Sequence, residues 1–115
     1  MTIDLLLEIV THDKNLGSEI FNTHGSFSAN TKIEIPGGAI ITAKGIILKK
    51  AFGFPETLEL LLSFSTGVVS GLVSSWIYEK LKGKAISIHI DRTEIQLNKN
   101  EIEKIIIEKI EKSTK

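Results

Sequence analysis

The feature that most constrains this chain is an uncharged run, Leu60 to Tyr78 (LLLSFSTGVVSGLVSSWIY), held between Glu59 and Glu79 in a sequence of 115 residues. At about 1.5 Å of rise per helical residue, nineteen such residues are long enough to cross a hydrocarbon layer. The run is therefore either a membrane span or the centre of a small core. Eight of the nineteen are Ser, Thr or Gly, which lowers the transfer gain well below that of a leucine-rich span. Removing the whole helix that contains the run, about residues 55–82, would also leave two pieces of roughly 54 and 33 residues, too small to hold a core without disulfides or metal. These arguments favour a core helix, with Leu60–Tyr78 as a membrane span kept as the alternative.

The local signals extend that helix to about residues 55–82. Pro55 suits a first helical position, Glu56 and Glu59 complement the positive end of the helix dipole, and Gly83 ends it. Ser65-Thr66-Gly67 marks the place for a kink. In such a helix Ser63, Gly67, Gly71 and Ser75 recur every four residues, with Ser70 and Ser74 beside them, as a smooth stripe that lets another backbone approach, and Trp76 is a core or partner-facing anchor. The stripe is expected to pack within the chain, and a homodimer through it is the other outcome.

On either side the pattern is of strands. Over residues 2–10, Ile3, Leu5, Leu7 and Ile9 alternate as a strand requires, which is the favoured reading, while Ile3, Leu6, Leu7 and Val10 fit one helical face; Thr11 to Gly17 is polar and ends in Gly, as a turn does. From Ser18 to Ala51 short β-prone pieces are divided by His24-Gly25, Pro36-Gly37-Gly38 and Lys44-Gly45. Lys32–Ile35 and Ala39–Ala43 form a hairpin about the Pro-Gly-Gly turn, and Ile46–Lys49 is a further strand. Ile86, Ile88 and Ile90 alternate in a second hairpin over 84–97. Pairing Ile90 with Ile95 and Ile88 with Leu97 keeps the apolar residues on one face, with His89 across from Gln96. Parity demands a two- or four-residue loop, because a three-residue loop would set Ile90 opposite Glu94. Asn98 or Asn100 caps a last helix over about 99–113, with Ile102, Ile105, Ile106 and Ile110 as its buried stripe. The expected fold is thus one α+β domain, residues 1–115. A β-rich meander (1–51), the apolar helix (55–82), the hairpin (84–97) and the amphipathic helix (99–113) build a mostly antiparallel sheet covered by two helices.

Chemistry is sparse. Fourteen Lys plus Arg balance fourteen Asp plus Glu, so no global field gathers nucleic acid or anionic lipid. Arg92 is the only arginine, and the absence of Cys removes disulfides, thiolate catalysis and thiolate metal sites. His12, Asp13 and His24 are the candidate metal or acid–base residues, since turn residues of a small sheet can converge, yet none of the spacings is that of a metal motif. Gly37-Gly38 lacks the pattern of a phosphate loop and reads as a hairpin turn. The serines of the apolar run have no His or Lys placed to activate them. No cofactor is expected. The N-terminal MTIDLLLEIV carries Asp4 and Glu8 and no basic stretch, which points to the cytoplasm.

The Gly- and Ser-rich helix ending in Trp76-Ile77-Tyr78-Glu79-Lys80-Leu81-Lys82, then Ala85–Ile90, a hairpin and Glu101-Ile102-Glu103-Lys104-Ile105, resembles the effector-associated constant component modules of bacterial conflict systems. The resemblance covers residues 67–113, while the N-terminal half departs from it by having no helix after the first strand. It implies a non-catalytic adaptor and identifies no functional residues. The expectation is therefore a protein–protein interaction or assembly module without enzymatic activity. A membrane-inserted protein stands second, and a small enzyme using turn His and Asp residues third.

Overall fold

The computed structural model describes residues 2–23, 28–47 and 55–113. Strand β1 (Ile3–Thr11) follows the alternation of its sequence, with Ile3, Leu5, Leu7, Ile9 and Thr11 buried. A short helix α1 (Leu16–Ile20) comes next, then β2 (Lys32–Ile35) and β3 (Ala39–Ile47), joined by Pro36-Gly37-Gly38 as the turn residues require. Next are β4 (Glu56–Phe64), α2 (Ser70–Leu81), β5 (Ala85–Ile90), β6 (Thr93–Ile95) and α3 (Lys99–Ser113). The strands form one six-stranded sheet in the order β2-β3-β4-β1-β5-β6, and every neighbouring pair is antiparallel. The fold is α+β, with the C-terminal helix in place.

The expected helix over 55–82 is corrected. Its first part is β4, buried on alternate residues at Leu58, Leu60, Leu62 and Phe64 and paired on both sides, with β3 and with β1. Pro55 precedes a strand, where its missing N–H breaks no ladder bond. Ser65-Thr66-Gly67 ends the strand in a turn, and the helix begins at Ser70. Twelve residues give α2 a length of about 18 Å, well short of a bilayer core. Among the described residues no helix is long and apolar enough to cross a membrane, so the helical span at Leu60–Tyr78 is overturned.

Helix α2 owes its conformation to packing. Its Ser, Gly and Val residues are poor helix formers, and no side chain caps its first turn. Val73, Ile77 and Leu81 are at most 2% exposed, each contributing about 1.5–3 kcal/mol of burial, which outweighs those propensity costs. Two other elements hold its start. The Val69 N–H donates to the Gly37 carbonyl at 2.9 Å, and Ser70 Oγ donates to Glu103 Oε2 at 3.4 Å, which sets a carboxylate at the positive end of the helix. Helix α3 buries Ile102 and Ile106, with Ile105 and Ile110 half-buried beside them, and its Asn98 Oδ1 accepts the Glu101 N–H at 2.8 Å as a cap.

Three smaller expectations change. Ser18 to Ile20 belong to α1, which plugs one end of the core with Leu16 and Ile20. Residues 46 and 47 continue β3 past a bulge between Ala43 and Gly45 instead of forming a separate strand; 48 and 49 lie outside the described residues. The C-terminal hairpin pairs Ile90 with Thr93, His89 with Glu94 and Ile88 with Ile95, so its loop is the two residues Asp91-Arg92. Their φ values of 49° and 71° are those of a type I′ turn, whose twist matches the strands it joins. Asp91 also ends the β1–β5 pairing: its N–H donates to the Leu6 carbonyl at 2.9 Å, and its Oδ1 accepts the Leu6 N–H at 3.0 Å.

Candidate interaction surface

The residues expected to form one helical stripe are not brought together. Ser63 lies on β4, donating its Oγ to Asp4 Oδ1 at 2.8 Å, and Gly67 is exposed in the turn. Gly71 opens α2, where a Cβ would stand 3.3 Å from Glu103 Oε2. Its smallness thus serves the contact between α2 and α3. Ser75 is half-buried, and Trp76 packs on the core with the Lys80 ammonium 5.5 Å from its ring centroid. The four-residue spacing carries no meaning across a strand and a turn.

Of the His and Asp candidates the structure describes the chain neighbours His12 and Asp13. His12 is exposed beyond the end of β1. Asp13 serves local structure: its N–H donates to Thr11 Oγ1 at 3.0 Å, and its Oδ1 accepts the Asn15 N–H at 2.9 Å, fixing the turn into α1. His24 lies outside the described residues. Among the described residues no three His, Cys, Asp or Glu side chains are grouped to hold a metal ion. The core cavity beneath Trp76, bounded by Leu7, Ile41 and Leu60, has a volume of about 10 Å³, at the lower limit for one water.

What the fold does create is a sheet face that no described helix covers, although Thr42 on it is buried. Leu16 and Ile20 of α1, Val73 and Ile77 of α2, and Ile102 and Ile106 of α3 join one core cluster with the odd residues of β1 and the even residues of β4. All three helices therefore lie on that side. The other side carries the even residues of β1 and the odd residues of β4, because successive strand side chains point to opposite faces. Leu6 stands opposite Leu61, Thr42 adjoins Leu61 in the same row, and Glu8 stands opposite Glu59. Leu6, Leu61 and Val10 are half-buried there, Ile40 is 38% exposed, and no described helix covers them.

The hydrogen-bond phase sharpens this arrangement. Leu6 directs its backbone groups to Asp91 on the β5 side, and so does Glu8 two residues on, toward His89. Leu6–Leu61 and Glu8–Glu59 are therefore non-hydrogen-bonded pairs of β1 and β4, the kind whose side chains stand closest, with Cβ atoms about 4.5–5.5 Å apart. On the far side of Glu8, His89 Nε2 lies 3.5 Å from Glu94 Oε1. The row thus runs Glu59, Glu8, His89, Glu94 across four strands. The clue in the sequence is the alternation of Thr57, Glu59, Leu61 and Ser63, concealed by the leucines on both parities. No protein-family model, curated protein or solved structure matches the chain.

Proposed function

We propose that this protein is a non-catalytic interaction or assembly module of the cytoplasm that docks a protein partner on the open face of its sheet. The observation that carries the reading is the one-sided placement of the three described helices, which leaves Leu6, Leu61 and Val10 on a face that no described helix covers. Sheets gain stability by covering their apolar faces, and a face with an apolar centre and a charged rim has the anatomy of a docking surface. The resemblance of residues 67–113 to conflict-system adaptor modules points the same way. Asp13, one of the residues offered for the third reading, a small enzyme, is engaged in the turn into α1.

A photo-crosslinking amino acid introduced at Leu61, compared with one at the exposed Leu72 on the helical side, tests the proposal in cells of the source organism. The Leu61 position is expected to give a discrete protein adduct that Leu72 does not. Adducts from Leu72 alone, or none from Leu61, would refute a docking role for this face.

A further inference from the structure

Resting on that reading, we infer that the open face is built for a basic, amphipathic helix of another protein, whose apolar side chains cover Leu6, Leu61 and Val10 and whose Lys or Arg residues meet Glu8 and Glu59. Among the described residues the charge on this face is one-sided. By strand register it carries Asp4, Glu8, Glu34, Glu59 and Glu94, against Lys32 and, at the bulge, Lys44. The chain as a whole is neutral, so the imbalance belongs to the face and not to the composition.

The pairing of Glu8 with Glu59 points to the sign of the occupant. Like charges directly opposite on neighbouring strands destabilise a sheet, and this pair is of the closer, non-hydrogen-bonded kind. Both side chains are half-buried, and among the described residues neither forms an ion pair. An ammonium or guanidinium set between the two carboxylates turns their repulsion into attraction, and a hydrogen-bonding fork suits them best when it is arginine. A second copy of the chain would set one acidic face against another. Anionic lipid and nucleic acid meet the same repulsion. A positively charged protein segment is left, and a helix suits the flat central rows because it can lay one apolar stripe along Leu6 and Leu61 and hold its cations on both flanks.

The test uses the full chain and three labelled synthetic peptides of about 18 residues, five helical turns. One is a Leu/Lys amphipathic helix, the second has the same pattern in Leu/Gln, and the third is oligolysine. Binding is followed by fluorescence anisotropy and mapped by amide shifts. The Leu/Lys peptide is expected to bind at least about 10-fold tighter than either of the others, with shifts on β1 and β4, and to weaken about 10-fold between low and high salt. The isosteric double variant Glu8→Gln/Glu59→Gln, which keeps the shape of the face, should lower its affinity by about 10-fold. Leu/Gln binding as tight as Leu/Lys, on the same strands, would overturn the basic partner while leaving the docking face standing. Oligolysine binding as tightly as Leu/Lys, shifts confined to α2 and α3, or a Glu8→Gln/Glu59→Gln protein with unchanged affinity would overturn the inference. If no peptide shifts β1 or β4, the inference and the docking reading fail together.

Discussion

Gly37 links the hairpin turn to the helix that covers the sheet, and replacing it measures that link. Its φ is +102°, a region that L side chains rarely adopt, and a Cβ there would meet Val73 Cγ2 at 2.7 Å, the Val69 carbonyl oxygen at 2.8 Å and the Val73 nitrogen at 3.1 Å. The first contact can be relieved by the valine, but the other two are with the backbone that opens α2. Gly37→Ala therefore carries a conformational cost of about 1–2 kcal/mol and an overpacking cost of about 1–3 kcal/mol, less about 0.4–1 kcal/mol recovered from a stiffer unfolded chain. The net expectation is a loss of about 1–5 kcal/mol, a large share of the stability of a domain this size. Gly38 is the internal control, with φ of +87° and nothing within 4 Å of its Cβ position, so Gly38→Ala isolates the conformational cost. Urea denaturation followed by Trp76 fluorescence gives both values. If Gly37→Ala is no more destabilising than Gly38→Ala, the turn does not dock on α2 and the account of how that helix is anchored is wrong.

Other substitutions probe the joints of the sheet. Arg92 holds φ at +71° in the type I′ turn, where Gly is preferred, so Arg92→Gly should stabilise by about 0.5–1 kcal/mol; a loss of stability would show that the side chain has a role there. Asp91 accepts the Leu6 N–H and lies 3.3 Å from the Lys109 ammonium, so Asp91→Ala should cost about 1–2 kcal/mol in thermal unfolding. Asp91→Asn, which keeps an oxygen acceptor and tolerates positive φ, should recover most of that, and equal losses would place the effect elsewhere. Glu59→Gln should raise stability by about 0.5 kcal/mol at low salt by relieving the pair with Glu8, and the gain should vanish near 1 M salt, where the Debye length is about 3 Å. A destabilised Glu59→Gln protein would mean that the carboxylate has a favourable partner within the fold.

The elements legible in the sequence are those whose pattern is purely local. β1 keeps its apolar alternation at Ile3, Leu5, Leu7 and Ile9 despite Leu6 and Val10 on the other parity, Pro36-Gly37-Gly38 announces its own hairpin, and the isoleucines of α3 recur at helical spacing behind a capping Asn98. β4 was hidden because Leu61 fills the polar parity of Leu58, Leu60 and Leu62, while Pro55, Glu56 and Glu59 imitate a helix start. The deciding fact is non-local: β1 and β3 each present an edge that only an intervening strand can satisfy, and the chain between them in space is 56–64. The C-terminal hairpin slipped by two residues because Asp91-Arg92 lacks the Asn-Gly signature of a two-residue turn. The candidate site failed with the long helix, since a four-residue spacing defines a face only within one helix. The face that replaced it required the register of β1 against β4, which no window of sequence contains.

That register also explains why association is expected on the face of the sheet and not at its edges. β2 is four residues long and bears Lys32 and Glu34, and β6 is three residues long and bears Glu94. Short, charged edge strands are poor templates for pairing with another chain, and Asp91 closes the step where β5 stops beside β1 with both its backbone and its side chain. The face shows the opposite economy. Leucines at Leu6 and Leu61 are left with one side toward solvent, and Glu8 is set against Glu59 at a cost of about 0.2–1 kcal/mol that Thr or Gln at either position would remove. A sheet selected for stability alone would spend neither. Both features become favourable under a layer that is apolar along its middle and positive at its margins, which is the chemistry of the proposed partner.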